Sequence, residues 1–137
     1  MANPLISNVG SLIKTVPGST PRAASAGATN GAAVDRLGYG SLVLATATGA
    51  ATGSPSAVGV AAKLQDSADG STGWADVSGA ALALAAENAS GKVNVDLAGV
   101  KRYVRVVETV ALTGGSTPTL ALASTVVLGG ADTLPAV

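Results

Sequence analysis

No cysteine, histidine or phenylalanine occurs anywhere in this chain of 137 residues. Without cysteine, disulfides and thiolate metal sites are excluded, and the redox compartment is left open. Without histidine, the commonest general base and the commonest metal ligand are missing together. Aromatic residues are nearly absent: Trp74 is the one tryptophan, and Tyr39 and Tyr103 are the two tyrosines. Charge is sparse as well. Eight basic and eight acidic side chains cancel to a net of zero, with no polybasic run. That balance argues against a phosphate-backbone binder, so nucleic acid is not an expected partner.

The apolar residues that are present are small. They make up 47% of the chain, enough to exclude disorder along its whole length, but alanine supplies much of that share. A buried leucine or valine stabilises a fold by about 1.5–3 kcal/mol, and the lone methyl of alanine by far less. A single domain of this length should therefore have a thin core and lean on partner subunits. A homo-oligomer is expected on this ground.

Two stretches without charge, Leu37–Ala62 and Thr109–Ala131, have the length of a membrane span. Both are broken by turn sequences, Gly53-Ser54-Pro55-Ser56 and Gly114-Gly115-Ser116-Thr117-Pro118. Unpaired backbone at a turn is costly in lipid, so no membrane partner is expected. The opening Met1-Ala2-Asn3-Pro4-Leu5-Ile6 also lacks the basic and apolar regions of a secretory signal.

Two organisational regions emerge. In residues 1–30, the apolar snippets Leu5-Ile6 and Leu12-Ile13 precede Pro17, Pro21 and the small-residue run Ala23–Thr29. Proline forbids a regular helix there, and the small residues have little to bury. This predicts an extended N-terminal arm with room for one short strand, or else a frayed terminus. Residues 31–137 read as a β-sandwich domain. Leu42 and Leu44 alternate with Val43 and Ala45, so both faces of Ser41–Thr48 are apolar. Val58, Val60, Ala62 and Leu64 share one face, as do Val93, Val95 and Leu97. Val104, Val106 and Val110 line one side of Arg102–Val110, and Leu120, Leu122, Val126 and Leu128 line the last strand. Ala80–Asn88 reads as a strand from the Leu82/Leu84 spacing, although its composition would also suit a helical turn. Turn signals recur at roughly the 8–12-residue spacing of a sandwich or barrel. The fold class expected is all-β, an antiparallel β-sandwich of jelly-roll type with an extended N-terminal arm.

Candidate chemistry is thin. Asp66, Asp69 and Asp76 cluster around one turn, but calcium loops need more acidic positions and a closing glutamate. Asp69-Gly70 is what a tight turn uses in any case. A glycosidase pair from these carboxylates would want aromatic platforms that the chain lacks. Gly38-Tyr39-Gly40 lacks the third glycine of a dinucleotide fingerprint, and Gly91-Lys92 lacks the rest of a phosphate loop. Asn88-Ala89-Ser90 fits the glycosylation triplet, but nothing indicates secretion. A serine nucleophile would need Lys14, Lys63, Lys92 or Lys101 as its base. No enzyme activity, catalytic residue, metal or cofactor is expected. Lys101, Arg102 and Arg105 form a basic cluster beside Tyr103, which reads either as a solvated strand face or as a docking edge. Trp74 follows a turn and reads as a structural anchor.

Three segments carry a family resemblance. Ser67-Ala68-Asp69-Gly70-Ser71-Thr72-Gly73-Trp74-Ala75-Asp76-Val77 resembles an S-x-D-G-S-x-x-W-x-D-V pattern of phage virion proteins. Val95-Asp96-Leu97-Ala98-Gly99-Val100-Lys101-Arg102-Tyr103-Val104-Arg105 resembles the V-D-L-x-G-x-K-R-Y-V-R strand of the same group. Leu128-Gly129-Gly130-Ala131-Asp132-Thr133-Leu134-Pro135 resembles its L-G-G-A-D-x-L-P tail. In this order the chain is similar to capsid cement (decoration) proteins of tailed bacteriophages. The resemblance implies a jelly roll made in the host cytoplasm that ends on the capsid exterior, where it stabilises an icosahedral shell by bridging major capsid subunits. The partner implied is the major capsid protein, and the resemblance, to a family whose members form dimers or trimers, favours a trimer over a dimer. Leu5, Ile6, Leu12, Ile13, Lys101, Arg102, Tyr103 and Arg105 are the candidate capsid or subunit contacts. Two rivals stand beside it: a carbohydrate- or ligand-binding jelly-roll module of a tail or surface protein, and a head–tail or tail-tube subunit.

Overall fold

The structure is a computed structural model that describes residues 8–137. Leu5 and Ile6 lie outside the described residues. A short 3₁₀ turn, Val9–Ser11, leads into ten strands. They are β1 (Lys14–Pro17), β2 (Arg22–Ala24), β3 (Gly27–Asn30), β4 (Val34–Asp35), β5 (Tyr39–Thr52), β6 (Ala57–Ser67), β7 (Ala75–Leu84), β8 (Ser90–Asp96), β9 (Tyr103–Thr113) and β10 (Thr119–Ala131). One sheet runs β1-β10-β5-β8, with β2 also on β10; the other runs β3-β9-β6-β7, with β4 also on β9. Every pairing is antiparallel. Counting β1/β2 and β3/β4 as two interrupted strands, the chain winds two four-stranded sheets in jelly-roll order.

Alternation drives each long strand. On β5, Leu42, Leu44, Thr46 and Thr48 are buried while Ser41 and Ala47 are exposed. On β6, Val60, Ala62 and Leu64 point inward, and on β10 Leu120, Leu122, Ser124, Val126 and Leu128 do so. Between the inner faces of the two sheets, Leu42, Leu44, Leu64, Leu97, Leu120 and Leu128 are the largest apolar side chains fully buried. Ala80–Asn88 resolves into the end of β7 and a turn, so the Leu82/Leu84 spacing was the informative signal.

The segment expected as an arm is extended, but from residue 14 onward it is not free. β1 and β2 pair with β10, and β3 pairs with β9. Gly18 N–H and Ser19 N–H both donate to Ser124 O, and Gly31 N–H donates to Val106 O. Gly18 and Gly31 are forced by proximity: a Cβ on Gly31 would stand 2.1 Å from Gly18 O. The two sheets close on each other here, so the boundary drawn at residue 30 falls within one packed unit. The arm's poverty in large apolar residues hid this, because these strands are held by ladder hydrogen bonds more than by burial.

Candidate functional site

Three places concentrate side chains that the bare sandwich does not require. The first is the outer face of the β1-β10-β5-β8 sheet. Its central rows are Val43, Ala45 and Ala47 on β5, directly opposite Val127, Thr125 and Ala123 on β10. Thr15 and Pro17 of β1 and Ala23 of β2 flank one side, and Ser90, Lys92, Asn94 and Asp96 of β8 flank the other. No side chain larger than valine stands in the central rows, so the face is flat. A shallow hollow of about 390 Å³ is bounded by Ala45, Ala47, Lys92, Ala123 and Thr125. This explains why both faces of Ser41–Thr48 read as apolar.

The second is a polar ladder across the outer face of β7-β6-β9. Gln65 lies opposite both Asp76 and Arg105 in the strand register. Lys63 Nζ and Gln65 Nε2 each donate to the Asp76 carboxylate at 2.9 Å. Arg105 Nε and Nη2 both donate to Gln65 Oε1, at 3.0 and 2.8 Å. The Arg105 guanidinium in turn lies 4.4 Å from the centre of the half-buried Trp74 ring. This cation–π contact ties Trp74, just before β7, to β9. Tyr103 lies against Gly70, where a Cβ would stand 3.0 Å from the ring. Arg102 pairs with Asp35 at 2.8 Å and sits 5.2 Å from the Tyr103 ring centre. Both guanidiniums of the expected basic cluster are thus committed within the chain. Lys101 precedes β9 and gives its N–H to Asp66.

The Asp66, Asp69 and Asp76 carboxylates do not converge. Asp69 accepts the N–H groups of Thr72 and Ser71 and the hydroxyls of Thr72 and Ser67. It is the lock of its own turn. Among the described residues no group of three or more metal-ligating side chains is found. Ser11 and Lys14 do stand in Ser-x-x-Lys spacing, but Ser11 Oγ donates to Asn8 O at 2.8 Å and Lys14 is exposed on β1. Leu12 and Ile13 are half-buried, and Ala136 N–H donates to the neighbouring Ser11 O.

Hydrogen bonds hold three carboxyls below their usual range. The Thr72 and Ser71 amides lower Asp69, Gln65 and then Lys63 lower Asp76, and Arg102 lowers Asp35. A carboxyl depressed in the folded state adds stability above its ordinary pKa, and that contribution is lost as pH falls toward the depressed value. Stability should therefore drop on acidification from about pH 5 to about pH 2. Asp69→Asn keeps one acceptor oxygen but cannot titrate, so urea midpoints for this variant should fall less steeply over the same range.

The third place was not foreseen. Glu108 points inward between Val106 and Val110 and is 1% exposed. Its Oε1 accepts from Arg22 Nη1 at 2.8 Å, and its Oε2 accepts from Ser124 Oγ at 2.6 Å and Ser19 Oγ at 3.1 Å. Ser124 Oγ also lies 2.8 Å from Thr46 Oγ1. This polar layer separates two apolar clusters, one around Leu44, Leu64 and Leu128 and one around Val60, Val110, Leu120 and Leu122. The signal was present as a gap: the inward row of β9 skips residue 108, and that of β10 skips residue 124.

Neither the protein-family models nor the curated proteins contain a match to this chain. Solved structures do match. The exported protein XepA of PBSX superposes with a TM-score of 0.62 at 17% identity, over 92% of this chain and 39% of XepA. VP2 of the infectious bursal disease virus subviral particle superposes with a TM-score of 0.54 at 8% identity, over 88% of this chain and 33% of VP2. The chain thus spans well under half of either neighbour. At these identities the likeness is one of fold. Strand order and structural neighbours agree that this chain is an antiparallel jelly-roll sandwich.

Proposed function

We propose that this protein is a structural virion protein, a cement protein that binds the outer surface of an icosahedral phage capsid and bridges major capsid subunits. The observation that carries the reading is the flat outer face of β1-β10-β5-β8, built from Val43, Ala45, Ala47, Ala123, Thr125 and Val127. Half-exposed apolar rows of this kind suit a protein surface better than a small ligand. The ordered trio of sequence motifs and the jelly-roll fold point the same way. The docking surface is placed on this face rather than on Lys101–Arg105, because Arg102 and Arg105 are already engaged by Asp35 and Gln65. The protein acts as a homo-oligomer, and many copies convert modest contacts into firm attachment. A carbohydrate module is less well served, since the half-buried Trp74 ring already carries Arg105 and Tyr103 lies on Gly70.

The test is co-sedimentation with shells assembled from the major capsid protein encoded alongside this chain. Wild-type protein should pellet with the shells and raise their melting temperature. Ala45→Glu and Ala123→Arg, each on the outer face, should lose binding by at least about tenfold while changing fold stability by no more than about 0.5 kcal/mol. Wild-type protein left in the supernatant, or variants that bind unchanged, would remove the cement reading.

A further inference from the structure

The four sheet edges of this sandwich are not alike. On one side, β1 and β2 are short, β1 ending on Pro17 and Pro21 preceding β2, and β3 and β4 are short and separated at Gly31. β7 carries a register shift against β6 and has Gly79 at φ +74°. Short strands, prolines and bulges are the usual protections of an exposed edge. β8 has none of these three, and its charged residues, Lys92 and Asp96, are of opposite sign. It pairs with β5 without a shift from Ser90 to Asp96, and it is the last strand of its sheet.

The ladder fixes which groups face outward. Leu97 N–H donates to Gly40 O and Thr48 N–H donates to Ala89 O, so the odd-numbered residues of β8 bond to β5. The N–H and C=O groups of Lys92, Asn94 and Asp96 therefore point to the open edge, and they have no backbone partner among the described residues. The side chains of the same three residues are exposed on the outer face of the sheet.

We infer that β8 pairs with β8 of a second copy of this chain, antiparallel about a two-fold axis through Asn94. In that register the residues with free backbone groups face each other: Asn94 meets Asn94, and Lys92 meets Asp96 of the second copy. Each pair of even-numbered residues exchanges two N–H···O bonds, and the two Lys92–Asp96 pairs stand directly opposite as cross-strand ion pairs. Lys92 forms no ion pair among the described residues, and Asp96 Oδ1 bonds only the nearby Ala98 N–H. Val93, half-buried in the single chain, comes to lie opposite Val95 of the second copy. Charge complementarity selects this partner: the strand reads plus, neutral, minus, which is self-matching only when reversed. The contact is isologous and closed, as a two-fold dimer requires. It makes the homo-oligomer of the proposed function a dimer, where the resemblance favoured a trimer, yet it concerns the protein alone.

Sedimentation equilibrium of the purified chain, without capsids, separates this inference from the cement reading. Wild-type protein should be a dimer at micromolar concentration. Lys92→Glu sets glutamate against Asp96, and Asp96→Lys sets lysine against Lys92, so each variant alone should dimerise about tenfold more weakly or worse. An equimolar mixture of the two variants restores both opposite-charge pairs and should recover dimer. Asn94→Pro, which removes an N–H that serves no intrachain bond, should abolish it while β-sheet circular dichroism is retained. A monomer or trimer in the wild type, a dimer indifferent to Lys92→Glu, or a mixture without recovery would overturn the pairing.

Discussion

Glu108→Ala is expected to cost about 3–5 kcal/mol of folding stability, measured by urea denaturation. The carboxylate is enclosed between the sheets and holds four groups at once: Arg22, Ser19, Ser124 and, through Ser124, Thr46. Removing it leaves the Arg22 guanidinium, 25% exposed, without its counter-charge, and it strips a partner from the hydroxyls of buried Ser124 and half-buried Ser19. Orphaned polar groups cost more than an ordinary hydrogen bond contributes. Against a typical total of about 5–15 kcal/mol, such a loss brings the fold close to its limit. If the orphaned charge is the main cause, adding Arg22→Met to Glu108→Ala should recover part of the loss. A loss below about 1 kcal/mol for Glu108→Ala would mean that the layer is incidental.

Leu44→Ala is the second large effect, expected at about 3–5 kcal/mol. Leu44 is fully buried at the centre of the larger apolar cluster, with Leu42, Leu64, Val106, Val126 and Leu128 in the same cluster. The size of the penalty depends on how far the neighbours can close the hole. Valine is stiff about χ1, and the chain has no phenylalanine to swing into the space. Poor relaxation places this truncation toward the upper end of its range. Leu37→Ala is the control: Leu37 is 65% exposed, and its loss should change stability by no more than about 0.5 kcal/mol.

The contrast between these two positions explains what was legible in the sequence. Leu44 announced itself, since alternation along Ser41–Thr48 marks a strand and burial follows from its hydrophobicity. The same logic located β6, β8, β9 and β10 and the jelly-roll class. Glu108 did not announce itself. A glutamate in a run of valines reads as a break in the pattern, although its parity with Val104, Val106 and Val110 puts it on the inner face. Its partners Ser19 and Arg22 lie more than eighty residues away, a distance no local period spans. The pairing of β1, β2 and β3 was hidden for a related reason, because backbone ladders leave no trace in side-chain pattern. The small residues of the outer face were visible one by one. Their assembly into a single surface required the register of β5 against β10.

That surface has one further consequence. Alanine, glycine and proline possess no rotamers to freeze, whereas each long flexible side chain immobilised at a contact costs about 0.5–1.5 kcal/mol. Pro17, Ala23, Ala45, Ala47 and Ala123 therefore meet any opposing molecule already in their final arrangement. What these residues withhold from the interior in bulk, they return outside as a contact with almost no ordering left to do.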